Sequence, residues 1–482
     1  MTRLLPTLAL LLLAALAPAA SAQTPAGGGA AGFPATPPEP GPPRPFDIPE
    51  GRTFTLDNGL GVTLVPYGAI PKVNVLAVVR VGNVDEGPGQ NSLADLTADL
   101  LTEGTETLSA EEVAEAAAAM GGAISAGAGL DQTTVGGRVL AEFVPEFVRL
   151  TADVLRRPAL PEDAFERVRR DRLRAAAVGR SEPGTVALAA FRKTLYGDHP
   201  YASVVLPVAA DLEAADAGAV RAFYQAHVGP ARTHLYVVGQ FDEAETEAAV
   251  RQAFGDWAAD VAPADPTPPE ARAGRRVVLV DQPGAAQSNV YVGLPTIDPS
   301  ADADDYVALQ VTDALLGGSF GSRITRNIRE DKGYTYSPGS SVSVRFRDGY
   351  WAESAAVVTE STGPAIREIL YEIDSLATTP PPADELEGIQ NYLAGTFVLQ
   401  NSSPGGIASF LAFLDLHGLD RDYLEGYVQR VYAVTPDDVQ RTARDLLRSD
   451  DLAIVVVGDR AVVEEQLAPF GDVSVETVDA IE

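Results

Sequence analysis

Three short stretches of this sequence occur twice, in the same order. TADLLTEGT at residues 97–105 matches VTDALLGGS at 311–319, SEPGTVAL at 181–188 matches SSPGGIAS at 402–409, and YVVG at 236–239 matches VVVG at 455–458. The members of each pair lie about 220 residues apart, so the chain reads as a tandem duplication of one unit of roughly 210 residues, within the usual size of a domain. Each half must therefore repeat one order of strands and helices.

The first half supplies that order. FTLDNGLGVTLV and KVNVLAVVRVG are short β-type runs, and Asp57-Asn58-Gly59 provides the turn inside the first. Residues 91–101, 111–120, 143–155, 162–179, 185–196 and 243–254 carry helical periodicity, with Leu93, Leu96, Thr97, Leu100 and Leu101 on one face of the first of them. Residues 123–139 read as strand, turn, strand, and 233–239 as an apolar strand. The pattern gives an α/β (α+β) chain of two homologous domains, each a mainly antiparallel sheet packed with helices. The boundaries follow from composition: residues 46–257 for the first domain, a Pro/Ala-rich linker over 258–274, and 275–482 for the second.

Ahead of the first domain, Arg3, the apolar run Leu8–Leu16 and Ala20-Ser21-Ala22 form a secretory leader over 1–22. Residues 23–45 are so rich in Pro, Gly and Ala that they read as a flexible tether. The expected location is periplasmic or extracellular, with no membrane span. A formal net charge of −31 excludes a basic footprint for nucleic acid, and the absence of cysteine excludes disulfides, thiolate metal sites and a cysteine nucleophile.

The most distinctive stretch is Leu315–Pro338, LLGGSFGSRITRNIREDKGYTYSP. It reads as a helix end, a break at Gly317, Gly318 and Gly321, a short helix carrying Arg326 and Arg329, and a turn at Gly333 into a strand that holds Tyr334 and Tyr336. With FTLDNGLGVTLV, LTEGT and the duplication, this stretch resembles the insulinase/pitrilysin (inverzincin) zinc metallopeptidases over nearly the whole mature chain. The resemblance implies a clamshell-type fold and assigns Arg329 and Tyr336 to substrate binding; both can donate hydrogen bonds to a peptide carbonyl.

Active relatives carry H-x-x-E-H on the first-half helix, two zinc ligands and a general base. Alignment on the shared Leu-x-x-Gly-Thr tail places Asp95-Leu96-Thr97-Ala98-Asp99 at those positions. Asp95 and Asp99 replace the histidines, and Ala98 cannot accept a proton. Two carboxylates at i and i+4 would suit a hard cation better than zinc. The residues also allow a plainer role: Ser92 and Asp95 in a capping box, and Asp99 on a solvated face opposite Leu93, Leu96 and Leu100. The family's third ligand would fall within 167–177, where Asp171 is the one acidic residue among five arginines. The four histidines, His199, His227, His234 and His417, have no i,i+4 partner. No metal ligand or catalytic residue is therefore assigned to this chain.

The resemblance thus implies a subunit that has lost the zinc motif and kept the Arg/Tyr pair. Its partner would be a zinc-bearing subunit of the same family, and its substrates unstructured peptides. The alternative within the same fold is a peptide-binding or scaffolding protein with no part in proteolysis, as in the core subunits of respiratory complex III.

Overall fold

The computed structural model describes residues 50–270 and 274–481. The leader and the tether expected at 1–22 and 23–45 lie outside the described residues.

In the first half, β1 (Arg52–Thr55), β2 (Gly61–Pro66) and β3 (Lys72–Val79) lead into α1 (Leu93–Leu101) and α2 (Ala110–Ala119). The hairpin β4 (Ala123–Ala128) and β5 (Thr133–Leu140) follows, then five helices: α3 (Val144–Arg156), α4 (Glu162–Ser181), α5 (Pro183–Tyr196), α6 (Ala209–Ala214) and α7 (Ala217–His227). Strand β6 (Thr233–Gly239) and α8 (Glu243–Phe254) close it. The second half runs β7 (Arg276–Asp281), β8 (Gln287–Thr296), α9 (Ala303–Asp313), β9 (Gly339–Arg345) and β10 (Asp348–Val358). It continues through α10 (Thr362–Thr378), α11 (Ala383–Asn401), α12 (Pro404–His417), α13 (Arg421–Ala433), α14 (Pro436–Leu446), β11 (Ala453–Gly458), α15 (Arg460–Leu467) and β12 (Val473–Glu476).

These strands form two six-stranded sheets, ordered β1-β2-β6-β3-β5-β4 and β12-β7-β11-β8-β10-β9. The repeat shows in the register: β3 pairs antiparallel with β6 and β5, as β8 does with β11 and β10. The parallel pairs are β2 with β6 and β7 with β11, joined by β12 on β7 in the second sheet. In both sheets the edge strand on the repeat's own side, β4 or β9, has one neighbour only.

Both faces of each sheet are covered, which explains why β6 and β11 are nearly all apolar. Val73, Val75, Ala77, Leu235 and Val237 pack with α1, α3 and α8 in one core. On the other face, Val65, Val78, Tyr236 and Val238 belong to the core of the second half. Helix α12 lies across β6 and β3 there. The arrangement is reciprocal, since α5 lies across β11 and β8 of the second sheet. Its Val186, Phe191 and Leu195 pack with Val278, Val280, Val455 and Val457.

The repeated Ser-x-Pro-Gly motif explains where these exchanged helices land. Pro183 and Pro404 sit in the first turn, where a missing N–H costs nothing. A methyl group on Gly184 would stand 3.5 Å from Asn289 Oδ1, and one on Gly405 3.6 Å from Asn74 Oδ1. Each helix start thus lies near the repeat-equivalent asparagine of the opposite sheet, Asn289 on β8 and Asn74 on β3. The two halves share their cores through one helix each.

Candidate functional site: a degenerate metal motif and an arginine–tyrosine patch

The motif positions in the first half lie on α1. Its start differs from the expected capping box: Ser92 has a left-handed backbone, φ 72°, and its side chain caps nothing. Glu86 takes over the capping, accepting from the Ser92 N–H at 3.1 Å and the Ala94 N–H at 2.9 Å. Asn83 also donates to it at 3.2 Å. Burial pushes the Glu86 carboxyl up to about 8, against the pull of these three donors. Sequence reasoning missed Glu86 because it lies in a turn outside the helix it caps.

Asp95 accepts from Asn83 Nδ2 at 2.8 Å and from Arg172 Nη1 at 3.0 Å. Asp99 accepts from Arg172 Nε at 2.7 Å, so it is ion-paired rather than simply solvated. Arg172 projects from α4, inside the stretch where a third metal ligand would be sought. The side chains of Arg172, Asp95 and Asp99 are 29%, 20% and 32% exposed. Burial pulls the Arg172 guanidinium down, but the two carboxylates outweigh it and the net shift is upward. Ala98, at the position of the base, is buried. Among the described residues no group of three or more His, Asp or Glu is placed to hold a metal ion.

These residues do not fit the zinc that the motif implies. A cation already stands between the two carboxylates, both oxygen ligands are hard, and nothing at residue 98 can polarise a water.

The second patch is built on two π-helical turns, Ala314–Gly318 and Thr325–Asp331. Gly317 sits where a methyl group would lie 2.4 Å from Glu353 Oε2 and 2.5 Å from Ser340 Oγ. Its use is close approach rather than an unusual φ. Beneath it, Asp313 accepts from Trp351 Nε1 at 2.8 Å and Ser340 Oγ at 2.5 Å. Burial pushes Asp313 up to about 6 and holds Glu353 well above the usual carboxylate range. Asp313 is the repeat counterpart of Asp99.

The second π-turn is tied down by Ile324 and Ile328, both fully buried, and by Arg323, whose Nε and Nη2 reach Glu385 at 3.0 and 2.6 Å. Gly333 then takes φ 63° and the chain reverses. Tyr334 and Tyr336 do not open a strand as the sequence suggests. They lie in a connector before β9, which starts at Gly339. Thr335 pins the connector by donating to Ala356 O at 2.7 Å, and the Val358 N–H donates to Tyr334 O at 3.0 Å. Tyr334 packs on the core, while Tyr336 is 80% exposed. The Arg329 guanidinium lies 5.1 Å from the Tyr336 ring centre and 4.5 Å from that of Phe320, itself 77% exposed. Arg329 thus packs against two exposed rings, and its Nε lies 3.4 Å from Glu330 Oε1, with 23% of the side chain exposed. The structure brings Arg329 and Tyr336 together and adds Phe320. Nothing in the sequence marked that side chain, because the fold of the Gly317–Gly321 break alone decides where it points.

The histidines have separate structural roles. His234 stacks on Tyr236, with ring centres 4.4 Å apart, and its Nδ1 meets Asp415 of α12 at 3.1 Å. His199 caps the turn at Pro200–Ala202. His227 and His417 face Asp85 and Asp298, each at 3.7 Å.

Comparison with known proteins places this architecture. The family model described as Insulinase (Peptidase family M16) matches residues 67–207, and the one described as Peptidase M16 inactive domain matches 214–393. The chain belongs to the insulinase family, peptidase family M16. An uncharacterized zinc protease of Streptomyces coelicolor is 28% identical over 414 residues, 84% of this chain and 89% of that one. Another, from Mycobacterium tuberculosis, is 28% identical over 401 residues, 82% of this chain and 90% of its own. A solved protease from Helicobacter pylori superposes with a TM-score of 0.80 at 20% identity, covering 86% of this chain and 100% of that one. A Pseudomonas fluorescens structure described as a peptidase M16 inactive domain gives 0.79 at 22%, covering 85% and 98%. At these identities the two superpositions speak for the M16 fold: paired open sheets flanked by helices, as in a clamshell.

Proposed function

We propose that this chain is the non-catalytic, substrate-binding subunit of a two-chain zinc metalloendopeptidase that acts on unstructured peptides outside the cytoplasm. The observation that carries the reading is the contrast between the two patches. At the motif positions of α1 a salt bridge replaces ligands and base, whereas Arg329 and Tyr336 are both present and lie together, with Tyr336 on the surface. A peptide would lie along a free sheet edge, β4 or β9, where unpaired backbone groups accept a strand of almost any sequence. The Arg329 guanidinium and the Tyr336 hydroxyl would hold its carbonyls. The metal, the attacking water and the base would come from a partner subunit that keeps H-x-x-E-H.

The test is cleavage of a quenched unstructured peptide by the mature chain, alone and mixed with an H-x-x-E-H relative from the same source. Activity is expected in the mixture only, and Arg329→Ala should lower kcat/KM by at least about tenfold, a loss of roughly 1.4 kcal/mol of transition-state binding. Tyr336→Phe, which removes the one hydroxyl, should cost a similar factor. Activity of the lone chain would overturn the reading. Two chains that neither associate nor cleave would favour a peptide-binding protein without a proteolytic role.

A further inference from the structure

The duplication sets two carboxylates in equivalent places and fills only one of them. In the first half Arg172 of α4 donates Nε to Asp99 at 2.7 Å. Asp313 is the counterpart of Asp99, and α11 is the counterpart of α4. Pro161 and Pro382 precede these helices and the repeated Ser-x-Pro-Gly follows them at the same spacing, which sets Leu393 in the place of Arg172. The second half therefore keeps the carboxylate and lacks the guanidinium. Asp313 and Leu393 instead line a cavity of about 290 Å³, in which Asp313 is the one charged residue. Its Oδ1 accepts from Ser340 and Trp351. Its Oδ2 has no partner among the described residues and lies beside Gly318, another residue of the cavity wall, where a methyl group would stand 2.5 Å from it. Burial pushes the Asp313 carboxyl up to about 6, with no cation nearby to offset it. The rings of Tyr392, Phe397 and Tyr427 complete an uncharged wall. A carboxylate without a counter-ion in such a place is costly, and a cation brought to it would relieve that cost.

We propose that the Asp313 cavity binds an organic cation, a guanidinium on an alkyl stem, as Arg172 does for Asp99 within the chain itself. Arg172 is the internal precedent for both charge and shape: a planar fork that reaches the carboxylate from the neighbouring helix. In the second half the fork comes from a ligand and donates to Asp313 Oδ2. Leu393 supplies apolar surface for the stem, and the aromatic wall suits a positive charge. An arginine side chain of a peptide and a free alkylguanidine share this chemistry. The site stands on the comparison of the repeats, and it holds whether or not Arg329 and Tyr336 take part in proteolysis.

The measurement is isothermal titration calorimetry on the full mature chain, with melting temperature recorded for every variant. The ligands are agmatine, a capped pentapeptide with a central arginine among alanines, and the same peptide with citrulline, which keeps the shape and loses the charge. Wild type should bind the arginine peptide at least about tenfold more tightly than the citrulline peptide, the worth of a charge-assisted hydrogen bond. Agmatine binding as tightly as the arginine peptide would mark the site as one for a free alkylguanidine. Weaker agmatine binding would mark it as one for an arginine side chain. Asp313→Asn keeps an acceptor for Ser340 and Trp351 and should erase the preference for charge. Leu393→Arg puts the chain's own guanidinium where Arg172 stands in the first half, and it should block both cationic ligands. It decides the matter if the Asn variant melts early. A preference for arginine that survives in folded Asp313→Asn or Leu393→Arg would trace to the chain's net charge of −31 rather than to the cavity, and would overturn the inference. Equal binding of the arginine and citrulline peptides by wild type would overturn it as well.

Discussion

Glu353 is fully buried and Asp313 half-buried beside the first π-turn, Ala314–Gly318, and the titration of Asp313 is a property that stability can report. Asp313 is pushed from an ordinary value of 3.8 up to about 6, by burial. A folded pKa above the unfolded one means that the native state binds more protons between the two values, so stability is complete below about 4 and falls as the pH rises through 6. The loss for a shift of this size is on the order of 2–3 kcal/mol. Asp313→Asn keeps an acceptor for Trp351 and Ser340 yet cannot ionise. Urea unfolding from pH 4 to pH 8 should show the variant losing less stability than wild type across that window. Parallel curves would mean that Asp313 titrates normally, and the burial argument would be wrong. The wild-type curve also contains the repulsion of a chain with net charge −31, which is why the difference between the proteins is the useful quantity.

At the scale of elements, the two glycines of the helix break separate close approach from mere flexibility. A side chain on Gly317 meets Glu353, Ser340 Oγ and Ser340 Cβ at 2.4, 2.5 and 2.8 Å, whereas one on Gly321 meets nothing within 4 Å. Gly317→Ala should therefore destabilise the chain by about 1–3 kcal/mol through overpacking. Gly321→Ala should be neutral within about 0.5 kcal/mol. Thermal unfolding of the pair checks this, and equal melting temperatures would show that the π-turn yields easily. The same stretch marks how far the sequence could be read. Helix α8 and strand β6 were legible residue by residue, because apolar periodicity and flanking turn signals agreed there. The strand expected at Tyr334 was not, since what ends the π-turn and pins residues 334–338 is backbone pairing with β10, a long-range partner. That Arg329 and Tyr336 lie together was legible from their spacing in the sequence. Phe320, Glu86 and Arg172 were not, because each acts on a different element from its own and its effect depends on packing. The capping box drawn at Ser92 failed for the same reason: a carboxylate from the preceding turn reaches the helix start first.

For the whole molecule, the duplication fixes the number of sheets but not how the halves are joined. Residues 258–274 look like a linker between two independent domains, and on sequence grounds cutting there would free them. The exchanged helices argue otherwise. Val186, Phe191, Leu195 and Tyr196 of α5 are buried among strands of the second sheet. Val65, Val78, Tyr236 and Val238 of the first sheet are buried in the core of the second half, under α12. Each such side chain contributes roughly 1.5–3 kcal/mol when fully withdrawn from water. Tyr236 and His234 also reach Asp415 of α12. Arg345, fully buried, sits within 4.5–5.4 Å of the rings of Tyr196, Tyr201 and Tyr350, which come from both halves. Separation would strand α5, the back of the first sheet and a buried cation in water. A protease site inserted within 258–270 should therefore cut without releasing the halves, which should co-elute on gel filtration and keep a single unfolding transition. Residues 46–257 expressed alone should aggregate and become soluble only when co-expressed with 275–482. Two separately soluble, independently melting pieces would refute the shared core. They would also allow the two halves of one chain to open independently, which the exchanged helices otherwise oppose.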